Sequence, residues 1–145
     1  DAEAAARPAP RPGRTAPPQE RHWFWRLRMA EKIATELDAD TFGVAALYVF
    51  GSAKNASAGP GSDIDLLVHF RGNRHQRDQL LAWFDGWSRA LAEMNYLETG
   101  VRREGLLDVH LVTDDDIERR TSWAAKIDAV TDAARPLPLG RRQEG

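Results

Sequence analysis

The sequence predicts an α/β (α+β) domain in which a small mixed β-sheet is flanked by helices. Two observations carry this expectation. Three short apolar runs bounded by turn residues have the length of buried strands, and segments with apolar residues three and four apart lie before, between and after them. The resulting order, helix-strand-strand-helix-strand-helix, suits one layered domain for a chain of 145 residues.

In chain order, residues 20–37 place Trp23, Leu27, Ala30, Ala34 and Leu37 on one helical stripe. Val44–Phe50 (VAALYVF) is a continuous apolar run ending at Gly51-Ser52, as expected of a strand buried on both faces. Ile64–Phe70 (IDLLVHF) reads as the second strand. A long helix follows over Arg74–Met94, with Leu80, Phe84, Trp87, Leu91 and Met94 facing inward. Leu106–Val112 (LLDVHLV) is the third strand, and a helix begins at Asp114. The run Asp114-Asp115-Asp116 after Thr113 suits a helix N-terminus, where capping and the macrodipole favour acids. Thr121–Ala134 is a further helical stretch, the five tryptophans are expected to pack, and there is no internal repeat.

The ends differ from the body. Five of the eight prolines fall between Pro8 and Pro18, so residues 1–19 are expected to form a disordered Pro/Ala/Arg-rich linker, an interdomain tether in a chain that begins at Asp1. The folded domain is expected over 20–135, and 136–145 as a C-terminal tail, because Pro136-Leu-Pro-Leu-Gly140 interrupts regular structure. The two ends carry net charge +3 and residues 23–134 carry −5, which weighs against a broadly basic nucleic-acid surface. The absence of cysteine excludes disulfides, thiolate metal sites and a cysteine nucleophile. No stretch approaches the ~18 apolar residues of a membrane span, and no basic-then-apolar leader is visible, so the expected location is cytoplasmic, without membrane contact.

The chemistry concentrates in Gly51-Ser52, ten intervening residues, then Asp63-Ile64-Asp65. Residues i and i+2 of a strand share a face, so Asp63 and Asp65 point to one place. Two carboxylates about 4 Å apart repel by about 4 kcal/mol at an effective dielectric of 20, so a partly buried pair requires a cation or a proton. An all-oxygen donor set points to Mg²⁺, with Mn²⁺ as substitute. Gly51 and Ser52 offer close backbone approach, a hydroxyl and free N–H groups to a phosphate, with Lys54 the nearest positive charge. Asp108, centred in an apolar strand, is the third carboxylate; His110, two residues on, shares its face and is a candidate to orient it or touch substrate, as is Ser62 beside Asp63. Arg102-Arg103 and Arg119-Arg120 read as solvated, and His69 lacks a partner at useful spacing.

The segment FGSAKNASAGPGSDIDLLVHF resembles the nucleotidyltransferase superfamily of the DNA polymerase β type, closest to its minimal members: a Gly-Ser pair at a strand end, a spacer, Asp-x-Asp on the next strand and a later strand acid. The resemblance covers Val44–Phe70 and extends to Leu106–Val112. It implies a polymerase β-like palm fold, Asp63 and Asp65 holding two Mg²⁺, Gly51 and Ser52 binding a nucleotide triphosphate, and Asp108 binding the catalytic metal and helping activate an acceptor hydroxyl. Minimal members commonly carry a basic residue three positions after the serine, where this chain has Asn55 with Lys54 before it. LLDVHLVTDDDI and AEMNYL also resemble domains fused to the C-terminal side of proteins related to pyruvate phosphate dikinase. The implied activity is transfer of a nucleoside monophosphate, AMP from ATP foremost, onto a protein, small-molecule or RNA hydroxyl, completed by a fused or partner domain. A non-catalytic nucleotide-binding regulatory module and a two-metal phosphodiesterase are the competing readings.

Overall fold

The computed structural model describes residues 18–51, 59–121, 123–127 and 134–140. Helix α1 spans Pro18–Glu36 and opens on proline, whose missing N–H costs nothing in a first turn. The short α2, Ala39–Phe42, is capped by the Asp38 carboxylate, which accepts from Thr41 N, and ends at Gly43 with φ 72°. Strand β1 is Val44–Phe50 and β2 is Ile64–Phe70. Helix α3, Arg74–Thr99, starts with a capping box between Asn73 and Gln76 and stops at Gly100 with φ 77°. Strand β3 is Leu107–Val112, α4 is Asp114–Arg119 with a Thr113/Asp116 capping box, a 3₁₀ turn covers Ala124–Lys126, and β4 is Arg135–Leu137.

The strands form one mixed sheet in the order β3-β2-β1-β4. β1 is antiparallel to β2 and β4, whereas β2 and β3 are parallel and joined through α3. On one face Ile64, Leu66 and Val68 of β2 pack with Leu27, Ile33 and Leu37 of the α1 segment and Leu80, Phe84 and Leu91 of α3. The other face has a smaller cluster of Phe50, Leu67, Val112, Ala124 and Ala134. One layer of helix therefore covers one side of the sheet, and polar side chains share the opposite side with that thin apolar patch.

The sequence-based elements differ from this structure in five places. α3 runs past Met94, which is 39% exposed, and Asn95 takes the buried place instead. The third strand starts one residue later, at Leu107. Within Thr121–Ala134 the described residues form a single 3₁₀ turn; 128–133 lie outside the described residues. Where regular structure was expected to stop, Arg135–Leu137 pairs along β1 and Gly140 N donates to Ala34 O at 2.9 Å. Proline is tolerated there because β4 is the edge strand of the sheet among the described residues. The expected linker lies outside the described residues up to position 17, and the helix already begins at Pro18. No helix among the described residues is long and apolar enough to cross a membrane.

Candidate active site

The sheet register decides which acids meet. Asp65 on β2 stands directly beside Asp108 on the parallel β3, and Phe50 on β1 is its partner on the other flank. These three share the thinly covered face, as does His110, which stands beside Leu67. Asp63 lies just ahead of β2. Ile64 N donates to Leu106 O at 2.7 Å, fastening the entry of β2 to the entry of β3. Gly51, the first residue after β1, has φ 76°, a left-handed conformation that glycine adopts without strain, and a Cβ there would overlap Asp65 Oδ2. The turn after β1 therefore passes against the central carboxylate, and only glycine allows that approach.

Two of the three acids have a basic side chain beside them. Asp63 Oδ1 accepts from Arg103 Nη2 at 2.7 Å, and Arg103 Nη1 also donates to Gly61 O at 2.8 Å. Asp108 Oδ2 lies 3.1 Å from His110 Nε2. Asp65 makes no ion pair among the described residues: burial, then the charges of Asp108 and Asp63 and a hydrogen bond with Asp108, push its carboxyl up to about 6 against an opposing influence of His110. Negative charge thus accumulates at Asp65, the centre of the three.

The loop that delivers Asp63 is held from beneath. Arg26 of α1, 1% exposed, donates from Nε to Ser62 O at 2.9 Å and from Nη2 to Asn95 Oδ1 at 2.8 Å. Asn95, also 1% exposed, donates from Nδ2 to Pro60 O at 2.9 Å and Val101 O at 3.1 Å. Burial draws the Arg26 guanidinium down to about 10, opposed by the Asp63 charge, so it stays a cation at neutral pH. Two helices and the 59–63 turn are tied together by these two side chains.

The sequence profile of the nucleotidyltransferase domain family matches residues 28–134, a span that includes all three acids and the turn after β1. The chain belongs to the nucleotidyltransferase domain family. A crystal structure of a Sulfolobus solfataricus protein assigned to the nucleotidyltransferases is similar at 20% identity, over 74% of this chain and 85% of that one, with TM-score 0.41, a likeness too loose to bear on the site. No curated protein matches the chain.

Of the predicted site residues, this nucleotidyltransferase domain brings Asp63, Asp65, Asp108, His110 and Gly51 together, while Ser52 and Lys54 lie outside the described residues. Ser62 serves the turn: its Oγ accepts from Gly59 N at 2.9 Å. The pair Arg102-Arg103 is not simply solvated, since Arg103 holds Asp63, and Arg102 lies 3.8 Å from the Tyr96 ring centroid. His69 has a partner after all, Asp114, which also binds Arg71. Arg71 and Asp114 line a cleft of about 690 Å³ at the far ends of β2 and β3, away from the acids. Arg26, Asn95 and Arg103 are site residues that sequence reasoning did not find.

For a divalent metal the donor chemistry fits: hard carboxylate oxygens gathered around a carboxyl that lacks a cation. Among the described residues no group of three His, Asp or Glu side chains is arranged to hold one ion, and Asp63 is paired with Arg103.

Proposed function

We propose that the domain is a Mg²⁺-dependent transferase that moves a nucleoside monophosphate, AMP from ATP foremost, onto a hydroxyl, releasing pyrophosphate. The observation that carries this is the side-by-side placement of Asp65 and Asp108, with Asp63 two residues earlier and a glycine turn against Asp65. Asp63, Asp65 and Asp108 would hold the metal, which when bound neutralises charge on the phosphates and on the attacking and leaving oxygens.

The chain's own residues supply orientation and proton handling. Gly51 lets the turn backbone approach the triphosphate, with Ser52 as donor and Lys54 as a phosphate-side charge. The acceptor oxygen forms a bond to the α-phosphorus as the bond to the departing pyrophosphate breaks. Asp108, exposed and steadied by His110, is placed to receive the acceptor proton. Among the described residues nothing closes over the acids' face of the sheet, and a fused or partner domain completing the acceptor pocket, in a cytoplasmic protein, is part of this reading. The acceptor is a protein, small-molecule or RNA-end hydroxyl.

The test is pyrophosphate release from each of the four ribonucleoside triphosphates with Mg²⁺, in the wild type and in the Asp63→Asn/Asp65→Asn variant. Release confined to the wild type, and greatest with ATP, is expected. Nucleotide binding with release no greater than in the variant would favour a regulatory module.

A further inference from the structure

We propose that Trp123 is the platform on which the base of the bound nucleotide stacks, with His110 as its backing ring. This rests on the reading of the three acids as a nucleotidyl-transfer centre, and it names a side chain to which that reading gives no role.

Trp23 aside, whose side chain is outside the described residues, the tryptophans divide into two groups. Trp25, Trp83 and Trp87 pack against the main core, as their helical spacing predicts. Trp123 does not: it is 40% exposed, just ahead of the 3₁₀ turn. Its indole is nonetheless held, lying nearly parallel to the His110 imidazole at 3.8 Å between centroids and 20° between planes. Phe50 packs against both rings, at 5.6 Å from Trp123 and 5.9 Å from His110. A large flat ring is thus fixed in orientation by two others while much of it faces water, which is the form of a stacking surface and a poor use of a core tryptophan.

Its position matches a nucleotide. His110 shares the sheet face of Asp108 and lies two strand residues beyond it, about 6.6 Å along β3. That span is comparable to the ribose that separates an α-phosphate from its base. A nucleotide with its α-phosphate at Asp65 and Asp108 therefore reaches the His110-Trp123 stack with its base. The indole of Trp123 offers a base its flat face and, at its edge, a single N–H, so it contributes affinity for any base more than choice among bases.

The experiment is calorimetric titration of the chain with Mg-ATP and, separately, with Mg-tripolyphosphate, which has the phosphates and no base. The wild type is compared with Trp123→Leu, which keeps apolar bulk, and Trp123→Phe, which keeps a ring. We expect Trp123→Leu to weaken ATP binding about tenfold or more while tripolyphosphate binding stays within about twofold, and Trp123→Phe to retain most of the ATP affinity. Unchanged ATP affinity in Trp123→Leu overturns the platform and leaves the transfer centre intact. Equal loss of both ligands overturns it too, because Trp123 would then act by steadying His110 and Asp108. A wild type that binds neither ligand refutes the transfer centre, and the platform with it.

Discussion

Replacing Asp65 by Asn should make the protein more stable at pH 8 while abolishing transfer. In the metal-free protein the Asp65 carboxyl is raised from 3.8 to about 6, first by burial and then by Asp108 and Asp63. Between those values the folded state holds a proton that the unfolded chain has released, so stability falls as pH rises through this window, and the loss is complete above about pH 7. Such a difference corresponds to at most ~3 kcal/mol. Asp65 is only partly buried, and screening by water reduces the effect to about 1–2 kcal/mol. Asn has the same shape and no charge, and its amide N–H can donate to Asp108 in place of the shared proton. The assay is urea unfolding in EDTA at several pH values. The two proteins should be alike below about pH 4, and the variant ahead by about 1–2 kcal/mol at pH 8. Added Mg²⁺ should then raise the wild type and leave the variant unmoved. A variant no more stable than the wild type at pH 8 would refute the claim that negative charge accumulates at Asp65.

Arg26→Met should destabilise by about 2–4 kcal/mol in urea unfolding, since it strips two short buried hydrogen bonds and leaves Asn95 Oδ1 and Ser62 O short of donors; a loss under ~0.5 kcal/mol would contradict this. Gly51→Ala should cost about 1–2 kcal/mol for the left-handed backbone and, by pushing on Asp65, lower pyrophosphate release far more than Gly100→Ala, whose added Cβ meets open space. Arg103→Ala should change stability by no more than about 1 kcal/mol, because its pair with Asp63 is exposed, yet tighten Mn²⁺ binding measured by electron paramagnetic resonance by freeing Asp63; weaker Mn²⁺ binding would show that Arg103 assembles the site.

The three main strands were legible because short, mostly apolar runs of this length between turn residues have few other uses, and the Asp-x-Asp alternation placed two acids together before any register was known. Registry itself was not legible. That Asp108 falls beside Asp65 depends on parallel pairing of β2 with β3, which strand order alone does not specify. Arg26 escaped notice because an arginine beside an apolar stripe reads as solvated until its carbonyl partner on Ser62, 36 residues away, is brought against it. Met94 and Asn95 exchanged roles because a helix drifts around its axis over many turns, so by the sixth turn the stripe had moved on one residue. β4 escaped for being short and containing Pro136.

The parallel pairing of β2 and β3 has a temporal consequence. Asp65 and Asp108 are neighbours only after the chain has travelled through the whole of α3 and returned, so their meeting is a long-range event with a loop-closure cost that local hairpins avoid. The β1-β2 hairpin can close early and present Asp63 and Asp65, but a nascent or nicked chain that has not docked β3 lacks the third acid. On the proposed function, the site is complete only once β3 has docked beside β2, so a chain folded no further than the β1-β2 hairpin lacks Asp108.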